Sequence, residues 1–384
     1  MTTPTRAVQQ YGQSIWYDFI SRELLLSGEL RRLVEHDGVR GVTSNPAIFE
    51  KAIASGHDYD PAIHTLVGQG ARDPKGIFES LATVDVQLAC DVLRGVYDES
   101  AEADGFVSLE VSPHLAHDTE GTIEEARRLW RAVGRPNLMI KVPATRAGLP
   151  AIETLIGEGI HVNATLLFAV DYYEQVHNAY IAGLERFAAA GGALEKVSSV
   201  ASFFVSRIDA RIEKQIVEEL SAGGDPDRKA RLEGLIFKVA IANAVDAYGR
   251  FQDTLQTERW KKLDAQGARP QRVLWASTGT KSPDLPPTLY VDKLIGRDTV
   301  NTVPAATFEA FKSEGTVSDA LSGDEGQRIR EEATETLATV TELGLSLEAV
   351  TDELLDQGCQ LFCDAFDQLL EAVAKKRDEL TEPQ

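Results

Sequence analysis

NLMIKVPAT, residues 137–145, carries one lysine inside a run too apolar for a surface strand. Side chains alternate along a strand, so Met139 and Lys141 face one way and Leu138, Ile140 and Val142 the other. Such a strand is buried, and in a barrel one of its faces is the lumen. Similar short runs recur on both sides of it. Upstream lie SIWYDF from Ser14, GVRGVTSNP at 38–46 and GFVSLEVSP at 105–113. Downstream lie GIHVNATLLF at 159–168, KVSSVASFFVSRID at 196–209, RVLWASTG at 272–279 and DTVNTVP at 298–304. Helix-like stretches separate most of these eight candidate strands. ISRELLLSGELRRLVEHDG reads as a helix ending at Gly38, and EGTIEEARRLWRAVG as an amphipathic one. Repeated βα units imply parallel pairing, and eight of them imply a (β/α)8 TIM barrel.

A doubly wound open sheet is the alternative, but it advertises a glycine fingerprint after its first strand. The nearest match, Gly157-Glu-Gly159, has Val162 where the third glycine belongs. Residues 305–384 read as acidic helices packed on the barrel, so residues 1–384 are expected to form a single barrel domain with appended C-terminal helices. The chain has 384 residues and a net charge of −21, with 43% hydrophobic residues, enough for a large core. Its acidity argues against a nucleic-acid partner, since a polyanion would be repelled. A few local cations still suffice for a small anion. Cys90, Cys359 and Cys363 cannot build a disulfide framework, and the last two, four apart, suit reduced core thiols. The N-terminus lacks an apolar signal region and no stretch approaches a membrane span, so the expected location is the cytoplasm.

The chemistry concentrates at strand ends. A lysine aimed into a barrel lumen is costly to keep charged, and the neutral amine is a nucleophile toward a carbonyl. The plainer alternative is a lysine that reaches solvent or pairs with a carboxylate. Asp18, within Ile15-Trp-Tyr-Asp-Phe-Ile20, and Glu110, within Val107-Ser-Leu-Glu-Val111, place carboxylates in two other apolar runs. Either could simply neutralise an internal lysine. Together with a lysine at matching depth, they could instead supply a base and a water-activating group. Asn163 and Thr165 lie two apart and share a face. With Asn45 they suit the hydroxyls of a polyol, although Asn45 could equally support a turn before Pro46. Arg207 and Ser202, at the end of and within one late strand, and Ser277 and Lys281, after another, suit a phosphate. Ser277-Thr-Gly-Thr-Lys-Ser282 lacks the first glycine of a P-loop, which argues against a nucleotide. His114 and His117 do not form a metal-site pattern.

Taken in order, WYDFI, GVTSNPAIFEKAI, VSLEVSP, IKVPAT, HVNATLLF, FFVSRID and WASTGTK resemble the transaldolase family in its longer bacterial form. The resemblance runs from about Tyr11 to Pro304. It implies a class I aldolase-type barrel that needs no metal and no cofactor. It assigns Lys141 as the Schiff-base nucleophile, Asp18 as acid/base, and Glu110 with Thr165 as holders of the catalytic water. Asn45 and Asn163 would contact the sugar, while Ser202 and Arg207 match the family's serine and phosphate-binding arginine. Ser277 also carries over. Many transaldolases read ASFRN here, and this chain has Ala276-Ser-Thr-Gly-Thr-Lys281, so Lys281 would replace an arginine as a point charge without bidentate geometry. The implied reaction moves a dihydroxyacetone unit from sedoheptulose 7-phosphate to glyceraldehyde 3-phosphate, with sugar phosphates as the only partners expected. A fructose 6-phosphate aldolase and a non-catalytic sugar-phosphate-binding barrel are the alternatives. The oligomeric state is left open.

Overall fold

A computed structural model describes residues 2–223 and 225–380. Eight parallel strands follow one another around a closed barrel. They are β1 (Gln13–Tyr17), β2 (Gly41–Val42), β3 (Val107–Glu110), β4 (Leu138–Pro143), β5 (Val162–Leu167), β6 (Ser199–Phe204), β7 (Arg272–Ala276) and β8 (Thr299–Val303). Pairing of β1 with β8 closes the ring. This is the (β/α)8 TIM barrel, with further helices after β8.

Register fixes which residues share a level. Glu110 pairs with Lys141, Lys141 with Asn163, and Pro143 with Thr165. Neighbours in a parallel sheet point to the same face, so Glu110, Lys141 and Asn163 form one row. That face is the lumen. Asn163 on β5 bonds Ser108 on β3, 3.0 Å away, passing over β4 on the concave side. Trp16 occupies the same lumen beside Gly41, where an added Cβ would come within 2.5 Å of the indole. Glycine there lets β2 reach β1 past a full-sized ring.

The N-terminal end of the barrel is plugged by charge. Asp104 accepts from Trp16 Nε1 at 2.9 Å and from Ser14 Oγ. Arg40 and Arg272 flank it at 3.5 and 3.6 Å, and Arg272 also donates to Ser14 Oγ and to the Thr299 carbonyl, both at 2.7 Å.

Local structure departs from the sequence pattern at the first helix and at Arg207, and adds detail elsewhere. The helical stretch ending at Gly38 is broken into Arg22–Leu26 and Glu29–Arg32, with Gly28 at φ 81° between them. Gly38, at φ 78°, does end the segment. Between β2 and β3 the chain forms three helices, Pro46–Ser55, Asp60–Gly68 and Pro74–Glu99. Asn45 is the N-cap of the first, and its Oδ1 accepts from Ile48 N at 3.0 Å. Arg207 lies beyond β6, in the first turn of the helix Ser206–Ser221.

After β8 come the helices Ala305–Glu314, Gly323–Glu342 and Leu347–Glu379. The last packs on Pro46–Ser55, Pro74–Glu99 and Ser206–Ser221 and touches β5. Arg211–Glu353 at 2.8 Å, His114–Asp367 at 2.7 Å and Lys376–Asp60 at 2.5 Å tie it down. It therefore lies across elements that follow β2 and β6, on the side where the strands end. Its Cys359 and Cys363 are free thiols, and burial pushes Cys359 up to about 11. Among the described residues no helix is long and apolar enough to cross a membrane.

Candidate active site

Lys141 sits near the carboxyl end of β4 and is only 5% exposed. Its Nζ donates to the Ser44 carbonyl at 3.1 Å. Among the described residues no carboxylate lies within ion-pair distance of it. It therefore neither reaches solvent nor sits in a salt bridge. Ser44 itself is held by its hydroxyl donating to the Ser108 carbonyl at 2.8 Å, so the group that orients the lysine is fixed.

Two carboxylates flank this amine without neutralising it. Asp18 follows β1 directly and accepts from Thr43 Oγ1 at 2.6 Å. Burial raises its pKa, while the Lys141 charge and the Thr43 hydrogen bond pull it down. Glu110 ends β3, and burial pushes it up to about 7. Lys141 opposes that rise and Asp18 adds to it. Both Glu110 oxygens and Thr165 Oγ1 are buried without a hydrogen-bond partner among the described residues. Buried polar atoms normally have partners, and these three oxygens lie on the lumen face beside Lys141, within reach of a guest molecule there. A group with one carboxylate near neutrality, a second of different environment and an amine between them can accept and return protons around an attacked carbonyl.

Asn163 lies one level across from Lys141 and is wholly buried. Its Oδ1 accepts from Ser202 Oγ at 2.6 Å and its Nδ2 donates to Ser108 Oγ at 3.0 Å. The structure thus joins Asn163 and Ser202, but spends part of their capacity on each other. Asn45 spends its carbonyl oxygen on the helix cap and keeps an amide NH₂ without a partner among the described residues.

The cationic end is less complete. Arg207 lies over the Phe204 ring at 5.5 Å, half-buried and without a carboxylate partner among the described residues. Burial depresses its pKa. Ser206 N donates to the Ser277 carbonyl at 3.0 Å, and the two hydroxyls are 3.0 Å apart, which places Ser277 beside the helix start that carries Arg207. Ser277 adopts φ 55°, a left-handed turn that breaks β7 away from the sheet. Lys281 is exposed in the following loop and makes no hydrogen bond or ion pair with the described residues, so nothing fixes it beside Arg207.

Sequence reasoning missed Thr43, Ser108 and Thr302. Alternation would have flagged Ser108, two before Glu110, as a lumen residue. Thr43 and Thr302 meet only once the barrel closes. Elsewhere, a cavity of about 710 Å³ lies outside the barrel, between Lys238, Lys293 and Glu332. It is lined by helices outside the strands and includes none of the residues around Lys141. No group of three or more metal-ligating side chains occurs among the described residues.

A family model described as Transaldolase/Fructose-6-phosphate aldolase matches residues 15–373. The chain is 46% identical over 370 residues to Transaldolase 2 of Nostoc punctiforme, covering 96% of each chain. It is 46% identical over 376 residues to the transaldolase of a Parafrankia species, covering 98% of each. Against the transaldolase of Thermobifida fusca it is 43% identical over 376 residues, covering 98% of this chain and 99% of that one.

Proposed function

This chain belongs to the transaldolase/fructose-6-phosphate aldolase family and is an enzyme, a transferase, and on that premise we propose that it moves a dihydroxyacetone unit between sugar phosphates through a Schiff base on Lys141. The donor is a ketose phosphate such as sedoheptulose 7-phosphate. The acceptor is glyceraldehyde 3-phosphate, and the products are erythrose 4-phosphate and fructose 6-phosphate.

Lys141 Nζ attacks the donor ketone, and loss of water gives the imine. Glu110 and Thr165 bind that water, and a carboxyl that titrates near 7 can exchange its proton at working pH. Asp18 takes the C4 hydroxyl proton, the C3–C4 bond breaks, and the aldose phosphate leaves. The three-carbon unit remains on Lys141 as a carbanion delocalised into the imine nitrogen. It adds to the acceptor aldehyde, Asp18 returns its proton, and hydrolysis frees the new ketose. Asn45, Asn163 and Ser202 hold hydroxyls of the sugar, and Arg207 with Ser277 holds its phosphate. The amine supplies the electron sink, so no cofactor or metal enters. The appended helices belong to the same unit as the barrel, and the setting is the cytoplasm.

The observation that carries this reading is the buried lysine with a single carbonyl contact and no ion pair among the described residues, set between two carboxyls of raised pKa. A coupled assay tests it. Sedoheptulose 7-phosphate with glyceraldehyde 3-phosphate should yield fructose 6-phosphate, and omission of the acceptor should reduce donor consumption to a trace. Steady release of free dihydroxyacetone would make the enzyme an aldolase instead. Binding without any exchange would leave a sugar-phosphate-binding barrel.

A further inference from the structure

One hydrogen-bonded chain in the barrel mouth is unused by this scheme. Thr43 Oγ1 lies 2.6 Å from Asp18 Oδ1 and 2.6 Å from Thr302 Oγ1. The three residues come from β1, β2 and β8 or the turns that follow them. Thr43 is 1% exposed and Thr302 5%. We propose that Thr302 is a positioning residue for Asp18, acting through Thr43, and that the two hydroxyls reverse direction as Asp18 gains and loses its proton at Oδ1.

The inference rests on Asp18 being the acid/base group, and follows from counting donors. A threonine hydroxyl has one proton to give and lone pairs to receive. Ionised Asp18 only accepts. Thr43 then donates to it, and Thr302 donates to Thr43. With a proton on Oδ1, Asp18 becomes the donor. Thr43 must accept it and turn its own proton to Thr302 Oγ1, the acceptor within reach, and Thr302, 5% exposed against 1% for Thr43, turns its own proton out toward the solvent of the barrel mouth. The carboxyl keeps its rotamer in both states because only hydrogens move. Thr43 alone could not do this, since its proton would be stranded in the protonated state. A stranded buried donor is worse than an unfilled lone pair, so losing Thr302 harms protonated Asp18 more than ionised Asp18. The charged group that Asp18 also feels is Lys141 on β4, and Asp18 in turn raises Glu110 on β3; neither Lys141 nor Glu110 is hydrogen-bonded to these hydroxyls among the described residues.

The test uses Thr302→Val, close to threonine in shape, and Thr302→Ser, which restores the hydroxyl. Asp18 ionisation is read by carbon NMR of aspartate-labelled protein, its resonance identified by its loss in Asp18→Asn. In Thr302→Val the Asp18 midpoint should fall by about half to one pH unit, with the matching limb of the kcat profile moving alongside it. Thr302→Ser should titrate like wild type. An unchanged midpoint in Thr302→Val would overturn the proposal, because the proton would then ride on the other oxygen. A shifted Asp18 midpoint with an unmoved kcat limb would leave the relay standing and refute Asp18 as the acid/base group.

Discussion

At the N-terminal end of the barrel, Asp104 is surrounded by two arginines, an indole N–H and a serine hydroxyl. At the carboxyl end, Lys141 has one carbonyl, Asp18 one hydroxyl, and Glu110 has no partner at all among the described residues. Both ends bury charge among the same eight strands. At one end the charge is compensated and closes the barrel. At the other it is left for an incoming molecule to complete, and the surrounding fold must sustain the cost. Buried charge without compensation is expensive, and its concentration at the strand ends, where (β/α)8 enzymes place their active sites, is what the proposed function rests on.

Removing groups from each end should separate stability from turnover. The largest effect belongs to Lys141→Ala, which should lower exchange by about four orders of magnitude or more, since the proposed imine at Lys141 can then no longer form. Its melting temperature should hold or rise, because an uncompensated buried group has gone. Activity above a trace would remove Lys141 from its role. Asp104→Asn should do the reverse. It should lower unfolding free energy by about 3 kcal/mol while kcat at 25 °C stays near wild type. Denaturant titration checks the first part and the exchange assay the second.

Glu110→Gln should cost about 10² in kcat and remove a pH dependence centred near 7 from the rate profile. It should also alter stability. A carboxyl raised in the folded state contributes stability below its unfolded pKa, and that contribution is lost as pH rises through about 7. Wild type should therefore lose unfolding free energy between about pH 4.5 and 7, and Glu110→Gln should flatten that slope. Equal slopes would mean that Glu110 is not raised. The smallest contrast lies between the two cations. Arg207→Ala should raise KM for a phosphorylated donor by about tenfold or more, whereas Lys281→Ala should change it less than about threefold. An equal loss in both would bring Lys281 into the phosphate site.

The order of strands was legible because each is a short apolar run, and helical stretches separate most of them. The row of Glu110, Lys141 and Asn163 was legible in part from alternation. What escaped depends on contacts distant in sequence. Thr43 and Thr302 meet across 259 positions, and only closure of β8 on β1 brings them together. The helix start at Ser206 is hidden because FFVSRID continues an aromatic and β-branched run with no proline or preceding cap residue to end it. Asn45 could be read either as a sugar contact or as a turn residue, and the structure shows its carbonyl oxygen serving the helix cap.

Reductive trapping tests the central claim most directly. The protein is incubated with fructose 6-phosphate and borohydride, digested, and the modified peptide identified by mass spectrometry. A reduced dihydroxyacetone adduct on Lys141 alone is the expected result. No adduct, or adducts scattered over surface lysines, would contradict the Schiff-base chemistry and leave the open end of the barrel as a binding site.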